Sequence, residues 1–271
     1  MVLAFCASQF PAEEFLIGTN VTYIKLDSVV INYDLHNPYT MNLKRSVFAL
    51  FKSQDEKRTS IKGLDNVSLD LVSGSRIGLI GENGAGKTTL LRALGGSLPP
   101  TSGKITSEGK IQSFLGSPLH GLDHEMSGNE NIEFVSLING HKVKKNSQKF
   151  NEIAEFTGLG DRLKDPIFTY STGMKARLRF SILTAFTPDI LLLDEGISAA
   201  DFAFSVQANA RLHEFLGRAG ILVLASHSQD FLKQFCTSGL WLSKGKIVQS
   251  GNLDEIYSSY VQEIQARQVS D

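Results

Sequence analysis

Apolar and polar residues alternate in four short runs near the start of the chain, Val21 to Leu26, Val29 to Tyr33, Val67 to Leu71 and Arg76 to Ile80. Period-two alternation closed by turn residues predicts half-buried strands, and so an N-terminal region built of sheet. Between the second and third runs lies an insert, Asp34 to Ser60, whose Leu43, Val47, Leu50 and Phe51 recur at i, i+4, i+7 and i+8. That spacing predicts a short amphipathic helix. Its apolar face either packs on the domain or, with Phe48, Lys44 and Arg45 beside it, lies at a membrane interface.

Beyond Ile80 the period changes. "KTTLLRALGG" reads as a helix closed by Gly95 and Gly96, followed by the turn "LPPTSG". The stretch Ser127 to Gly160 is helical and charged, and Thr172 to Phe186 and Ala203 to Leu216 are further helices. Two runs, "DILLLDE" and "GILVLASH", are apolar at every position of their cores. Such runs mark parallel strands buried on both faces. Strands alternating with helices predict an α/β class core with βαβ crossovers. The expected organisation is an extension over 1–20, one domain over 21–252 with a helical part at about 125–185, and a helical tail over 253–271.

Composition narrows the picture only by exclusion. Lys+Arg at 27 against Asp+Glu at 28 leaves a formal charge of -1, so no basic field recommends nucleic acid as a partner. Cys6 and Cys236 have no metal-ligand spacing and fit a reducing compartment. The N-terminus has no Lys or Arg before Lys25 and does not read as a signal peptide. Nowhere does an uncharged apolar run approach the roughly 20 residues needed to span a bilayer.

The chemistry lies in "GENGAGKTTL". Gly81, Gly84, Gly86, Lys87 and Thr88 satisfy G-x-x-x-x-G-K-[ST] between the strand "RIGLIG" and a helix, the context that makes the motif specific. Such a loop turns consecutive backbone N–H groups, here from Gly81 through Asn83, Ala85 and Thr89, toward phosphate oxygens. Lys87 would reach the terminal phosphates of a nucleoside triphosphate and the Thr88 hydroxyl would ligate Mg²⁺. Asp194 and Glu195 leave a buried strand at its C-terminal end, where open parallel sheets bind ligands. Asp194 would hold Mg²⁺ through water and Glu195 accept a proton from the attacking water. His227, at the end of the next predicted strand, is placed to touch a γ-phosphate; the alternative is a structural histidine.

The set "GENGAGKTT", "YSTGMKARLRFS", "ILLLDE" and "ASHS", in that order, resembles the nucleotide-binding subunits of ABC transporters over nearly all of Lys25 to Gly251. The resemblance implies an ABC-type P-loop NTPase fold. It has a RecA-like mixed or parallel sheet core, an N-terminal antiparallel β subdomain and a helical subdomain carrying a signature motif. It identifies "YSTGM", Tyr170 to Met174, as that signature, with Ser171 and Gly173 facing the γ-phosphate held by the other subunit of a homodimer. Asp201 would be the D-loop aspartate, and Tyr33 the aromatic that stacks on adenine. The family usually has Leu-Ser-Gly-Gly-Gln, so Thr172 and Met174 are departures. Those departures, the insert and "DEGISAADFAF" look like the ATPase subunits of polysaccharide exporters of the O-antigen, capsule and teichoic-acid kind.

The resemblance therefore implies ATP and Mg²⁺ as cofactors and a separate multi-span membrane permease as partner. It also implies a lipid-linked polysaccharide cargo and a peripheral place on the cytoplasmic side of the inner membrane. The glutamine that links the nucleotide site to the permease should fall within "IQSFLGSPLHGLDHEMSG", where Gln112, His120 and Asp123 are the candidates. Competing expectations are a different transported cargo, a soluble ABC protein acting on nucleic acid or ribosomes, and a nucleotide-gated scaffold. The chain shows no heptads or basic tract for the second, and Glu195 with His227 argues against the third.

Overall fold

The computed structural model describes residues 22–34, 60–115, 121–194 and 206–270. In chain order its strands are β1 (Tyr23–Asp34), β2 (Ser60–Val72), β3 (Arg76–Ile80), β4 (Ser102–Glu108), β5 (Ile111–Phe114), β6 (Ile190–Leu193), β7 (Ile221–Ala225), β8 (Ser238–Ser243) and β9 (Lys246–Asn252). The helices are α1 (Lys87–Leu94), α2 (Gly128–Ile138), α3 (Gln148–Thr157), α4 (Thr172–Leu183), α5 (Val206–Arg218), α6 (Gln229–Phe235) and α7 (Leu253–Ser270). The expected extension over 1–20 and the amphipathic segment of the insert lie outside the described residues. Among the described residues no helix is long and apolar enough to cross a membrane.

Two sheets form. β2, β1 and β4 make an antiparallel sheet in that order, and the second sheet runs β5-β6-β7-β3-β8-β9. All neighbours in it are parallel except β8 and β9. The continuous apolar runs are explained by the two faces they serve. Ile190, Leu192, Ile221 and Val223 pack with Ile24, Ile31, Leu90 and Leu94 in one core, between the two sheets and around α1. Leu191, Leu193, Leu222 and Leu224 turn the other way, into a core with Ile132, Ile153, Phe180 and Phe215 from the helices. The period of two persists inside these runs, but both faces are dry, so every position is apolar.

The structure revises several expectations. The runs Val21 to Leu26 and Val29 to Tyr33 belong to one strand, β1, bent where its register against β2 shifts. Ser28, at φ 50°, takes the bend, and its N–H donates to Ser68 Oγ at 3.0 Å, so the break predicted from Asp27-Ser28 is a satisfied irregularity inside a strand. The helical stretch from Ser127 resolves into α2 and α3, each started by a serine cap: Ser127 and Glu130 form a reciprocal capping box, and Ser147 accepts from Phe150 N–H. Strands β4, β5, β8 and β9 were not anticipated. β4 is mostly exposed and polar, and β5 has only four residues. Neither carries a strong periodic signal.

One polar contact ties the crossover to the strand that precedes the glycine-rich loop. Arg76, the first residue of β3, forks its guanidinium onto the carbonyls of Leu216, Gly217 at 2.7 Å and Ala219 at 2.8 Å, satisfying the C-terminal end of α5. Arg76→Met is expected to lower unfolding stability by about 1–3 kcal/mol, since charge-assisted hydrogen bonds to part-buried and exposed carbonyls are lost. Urea denaturation followed by circular dichroism measures it.

Candidate functional site

The loop between β3 and α1 is held by backbone contacts. Gly86 has φ 109°, and a Cβ there would come 2.8 Å from the Gly63 carbonyl oxygen. Gly245, in the β8–β9 turn, donates its N–H to the Ala85 carbonyl at 2.9 Å, and its own carbonyl accepts from Asp65 N–H at 2.8 Å. The loop is therefore clamped between β2 and the β8–β9 turn. Lys87 is 7% exposed and curls back to donate to the carbonyls of Gly81 at 2.6 Å and Glu82 at 3.4 Å. Because the N-cap of α1 is Gly86, no side chain caps the helix. Its first N–H groups are presented to an anion, and over Gly84, at φ 79°, a Cβ would meet nothing within 4 Å.

The carboxylate and imidazole predicted to work with this loop reach the same edge. In the parallel register Gly78, Leu224 and Leu193 stand in one row. Asp194 therefore lies level with Leu79 and Ala225, two residues short of Gly81, and His227 follows two residues beyond Ala225. Asp194 N–H donates to Phe114 O at 3.1 Å, which fixes the backbone that carries the carboxylate. His227 is exposed at the loop that leaves β7. Glu195 and Asp201 lie outside the described residues, as does His120.

Tyr33, near the end of β1, stands over α1. Its hydroxyl is 3.1 Å from Thr89 Oγ1, and its ring lies against Gly63, where an added Cβ would meet the ring at 2.6 Å and Thr89 Cγ2 at 2.9 Å. Tyr33, Thr89, Gly63 and Gly86 thus form one packed unit. Gly63 and Gly245 are the positions that sequence reasoning missed. A lone glycine in a strand and one in a hairpin turn carry no motif, and only the close approach of backbones explains them.

The signature segment is anchored from behind. Tyr170 is buried and donates from its hydroxyl to the Arg162 carbonyl at 2.5 Å, and a Cβ on Gly128 would come 2.5 Å from that hydroxyl. Burial raises the Tyr170 pKa above the ordinary phenol value. Ser171 caps α4, accepting from Met174 N–H at 3.3 Å. On Gly173 a Cβ would meet nothing within 4 Å among the described residues. Deeper in α4, Arg179 is 8% exposed, with its guanidinium 6.0 Å over the Phe114 ring; burial pushes its pKa down to about 10. Phe114 thereby touches both the signature helix and, through its carbonyl, Asp194. Of the linking candidates, Gln112 is buried and donates to Leu183 O at 3.0 Å, and Asp123 Oδ1 accepts from the N–H groups of Glu125 and Met126.

A family profile described as "ABC transporter" matches residues 64–198. The chain is 37% identical over 237 residues to the O-antigen export system ATP-binding protein RfbE of Yersinia enterocolitica, covering 84% of this chain and 98% of that protein. The chain belongs to the ABC transporter family. It is also 35% identical over 239 residues to the teichoic acids export ATP-binding protein TagH of Staphylococcus haemolyticus, covering 88% of each. Its fold matches the dimeric structure of the ATP-binding cassette MJ0796 bound to ADP and Pi, at a TM-score of 0.60 and 18% identity, over 85% of this chain and 98% of that one. The expected cassette fold, an ATPase of the ABC class with antiparallel and mixed sheets and a helical subdomain, is the one observed.

The residues present fit a nucleotide with a divalent ion. The uncapped N-terminus of α1, the open space above Gly84 and the buried Lys87 suit polyphosphate. Among the described residues no group of three or more His, Cys, Asp or Glu side chains could hold a metal, so an ion here would share Thr88 and Asp194 with phosphate oxygens and water. Gly245→Ala, which puts a methyl 2.9 Å from the Gly63 carbonyl at φ 77°, is expected to weaken binding of a fluorescent ATP analogue by about tenfold or more by displacing the clamp on the loop. Equilibrium titration checks it, with circular dichroism to confirm that the variant folds.

Proposed function

We propose that this protein is the ATPase subunit of an exporter that moves a lipid-linked polysaccharide through a separate membrane permease. The observation that carries the reading is the 35–37% identity to export subunits for O-antigen and teichoic acids over nearly their whole length. The Tyr-Ser-Thr-Gly-Met signature supports it. The subunit works as a homodimer in which each nucleotide lies between one chain's phosphate loop and the other's signature. The open space beside Gly173 at the start of α4 supports that arrangement, because among the described residues a Cβ there would meet nothing within 4 Å.

When bound, ATP supplies the phosphoryl group and Mg²⁺ neutralises its charge. Tyr33 stacks on the adenine. Lys87, now on the Gly81 carbonyl, would donate to the terminal phosphates, and Thr88 and Asp194 would hold the ion. Glu195 takes the proton of the attacking water, His227 donates to the γ-phosphate, and Ser171 and Gly173 of the partner subunit present N–H groups from the end of α4. Asp201 lies across the dimer interface. Closure around two nucleotides drives the permease because ATP prefers the closed pair.

The permease contact falls on the helical subdomain. Phe134, Leu137 and Ile138 on α2 and Phe168 nearby are exposed, with Phe168 at 66%. An apolar group of this kind beside polar surface suits a protein partner at the cytoplasmic face of the membrane. Two experiments test the reading. Glu195→Gln is expected to retain ATP binding and to run as a dimer in size-exclusion chromatography with saturating ATP; a monomer under those conditions contradicts the mechanism. Purification from gently solubilised host membranes is expected to bring down a multi-span protein whose deletion leaves a lipid-linked glycan inside the cell. A membrane partner without a glycan defect would overturn the cargo.

A further inference from the structure

Helix α7 delivers a cation to the mouth of the phosphate loop. It starts beneath the sheet, where a Cβ on Gly78 of β3 would meet Leu253 at 3.1 Å. One turn on, Ile256 is buried against Gly239 of β8, and next Tyr260 meets the Trp241 ring edge-on at 5.8 Å between centroids. Since β3 and β8 are parallel, these contacts climb toward the edge where β3 gives way to Gly81. At a rise of 1.5 Å per residue, the helix travels about 21 Å from Leu253 to Arg267, comparable to the length of the strands beside it.

Arg267 lies at the top of that climb. Its Nη1 is 3.5 Å from Glu82 Oε2 in the phosphate loop, and its Nε donates to Glu263 Oε1 at 3.1 Å, so two carboxylates hold the guanidinium in place. From Gly81 to Thr89 the loop has one acid, Glu82, and one base, Lys87. Lys87 is turned inward toward the Gly81 carbonyl, whereas the Glu82 side chain is 56% exposed, so its carboxylate is the charge this loop shows to solvent. The carbonyl end of α7 adds further negative potential at the same place.

We propose that Arg267 is an affinity-determining residue of the nucleotide site, offsetting part of the charge of Glu82 and Glu263 so that a polyphosphate meets less repulsion at the loop. This rests on the nucleotide-binding reading above. Arg267 does not touch the reacting atoms in this assignment; it sets the field they meet. The pair is half exposed on both sides, so its removal has little effect on folding. Its effect on a ligand with several negative charges is larger, because each phosphate charge interacts with it separately.

The test is equilibrium titration of the full chain with a fluorescent ATP analogue and Mg²⁺. At low ionic strength Arg267→Ala is expected to weaken binding about three- to tenfold and Arg267→Glu more. Adding Glu82→Gln to Arg267→Ala is expected to return affinity to within about twofold of wild type, because the net charge of the pair is again zero. At about 0.5 M salt, where the Debye length is only a few ångströms, the differences are expected to disappear. A merely structural role for the arginine would not be rescued by neutralising Glu82, nor would it follow salt. Arg267→Ala binding as tightly as wild type, or a loss that Glu82→Gln leaves in place, overturns the assignment. A wild-type chain that does not bind the analogue overturns the nucleotide reading itself.

Discussion

The structure depends on holding one short loop in a shape its own backbone would not keep. Between β3 and α1 the chain must pass through conformations with positive φ at Gly84 and Gly86 and still leave the N-terminus of a helix open. Unpaired N–H groups and a left-handed backbone are costly, and they persist only where neighbours over-determine them. Here the neighbours are also backbone. The Gly63 carbonyl backs Gly86, and Gly245 bonds Ala85 while lying against Gly63. A strand, the loop and a turn from distant parts of the chain meet at a point where no side chain fits.

That meeting requires the two sheets to lie on one another. The antiparallel sheet brings β2 and Tyr33 to the loop, and the shared core of Ile24, Ile31, Leu64, Leu90 and Leu192 fixes its distance from the central sheet. The central sheet in turn aligns Asp194, Gly81 and the exit of β7 along one edge, because parallel strands in register end together. The chemistry is placed by packing. Each functional group follows a run of buried aliphatic residues that cannot slip by one position without exposing a whole face.

On the proposed reading a single chain carries two halves of different sites. The phosphate loop has its clamp, whereas at the start of α4, capped by Ser171 and backed by buried Tyr170, a Cβ on Gly173 would meet no described residue within 4 Å. Arg179 packed over Phe114 joins the signature helix to the strand end beside Asp194. That contact gives the helical subdomain a direct mechanical connection to the edge where the nucleotide would lie.

The sequence by itself determined the local chemistry. The loop motif, the acid after "ILLL" and the buried parallel strands were legible because each is a short pattern whose meaning depends on near neighbours. The tertiary structure alone decided the rest. Ser28 bends one strand where the sequence suggested two, since its amide finds Ser68 across the sheet. Gly63 and Gly245 matter through backbones about 180 residues apart, and Arg267 reaches Glu82 across 185 positions. Gln112, one candidate for the contact with the permease, is buried and donates to the Leu183 carbonyl across 71 positions. These contacts link residues with no shared periodicity, and a pattern read along the chain has no term for distance through space.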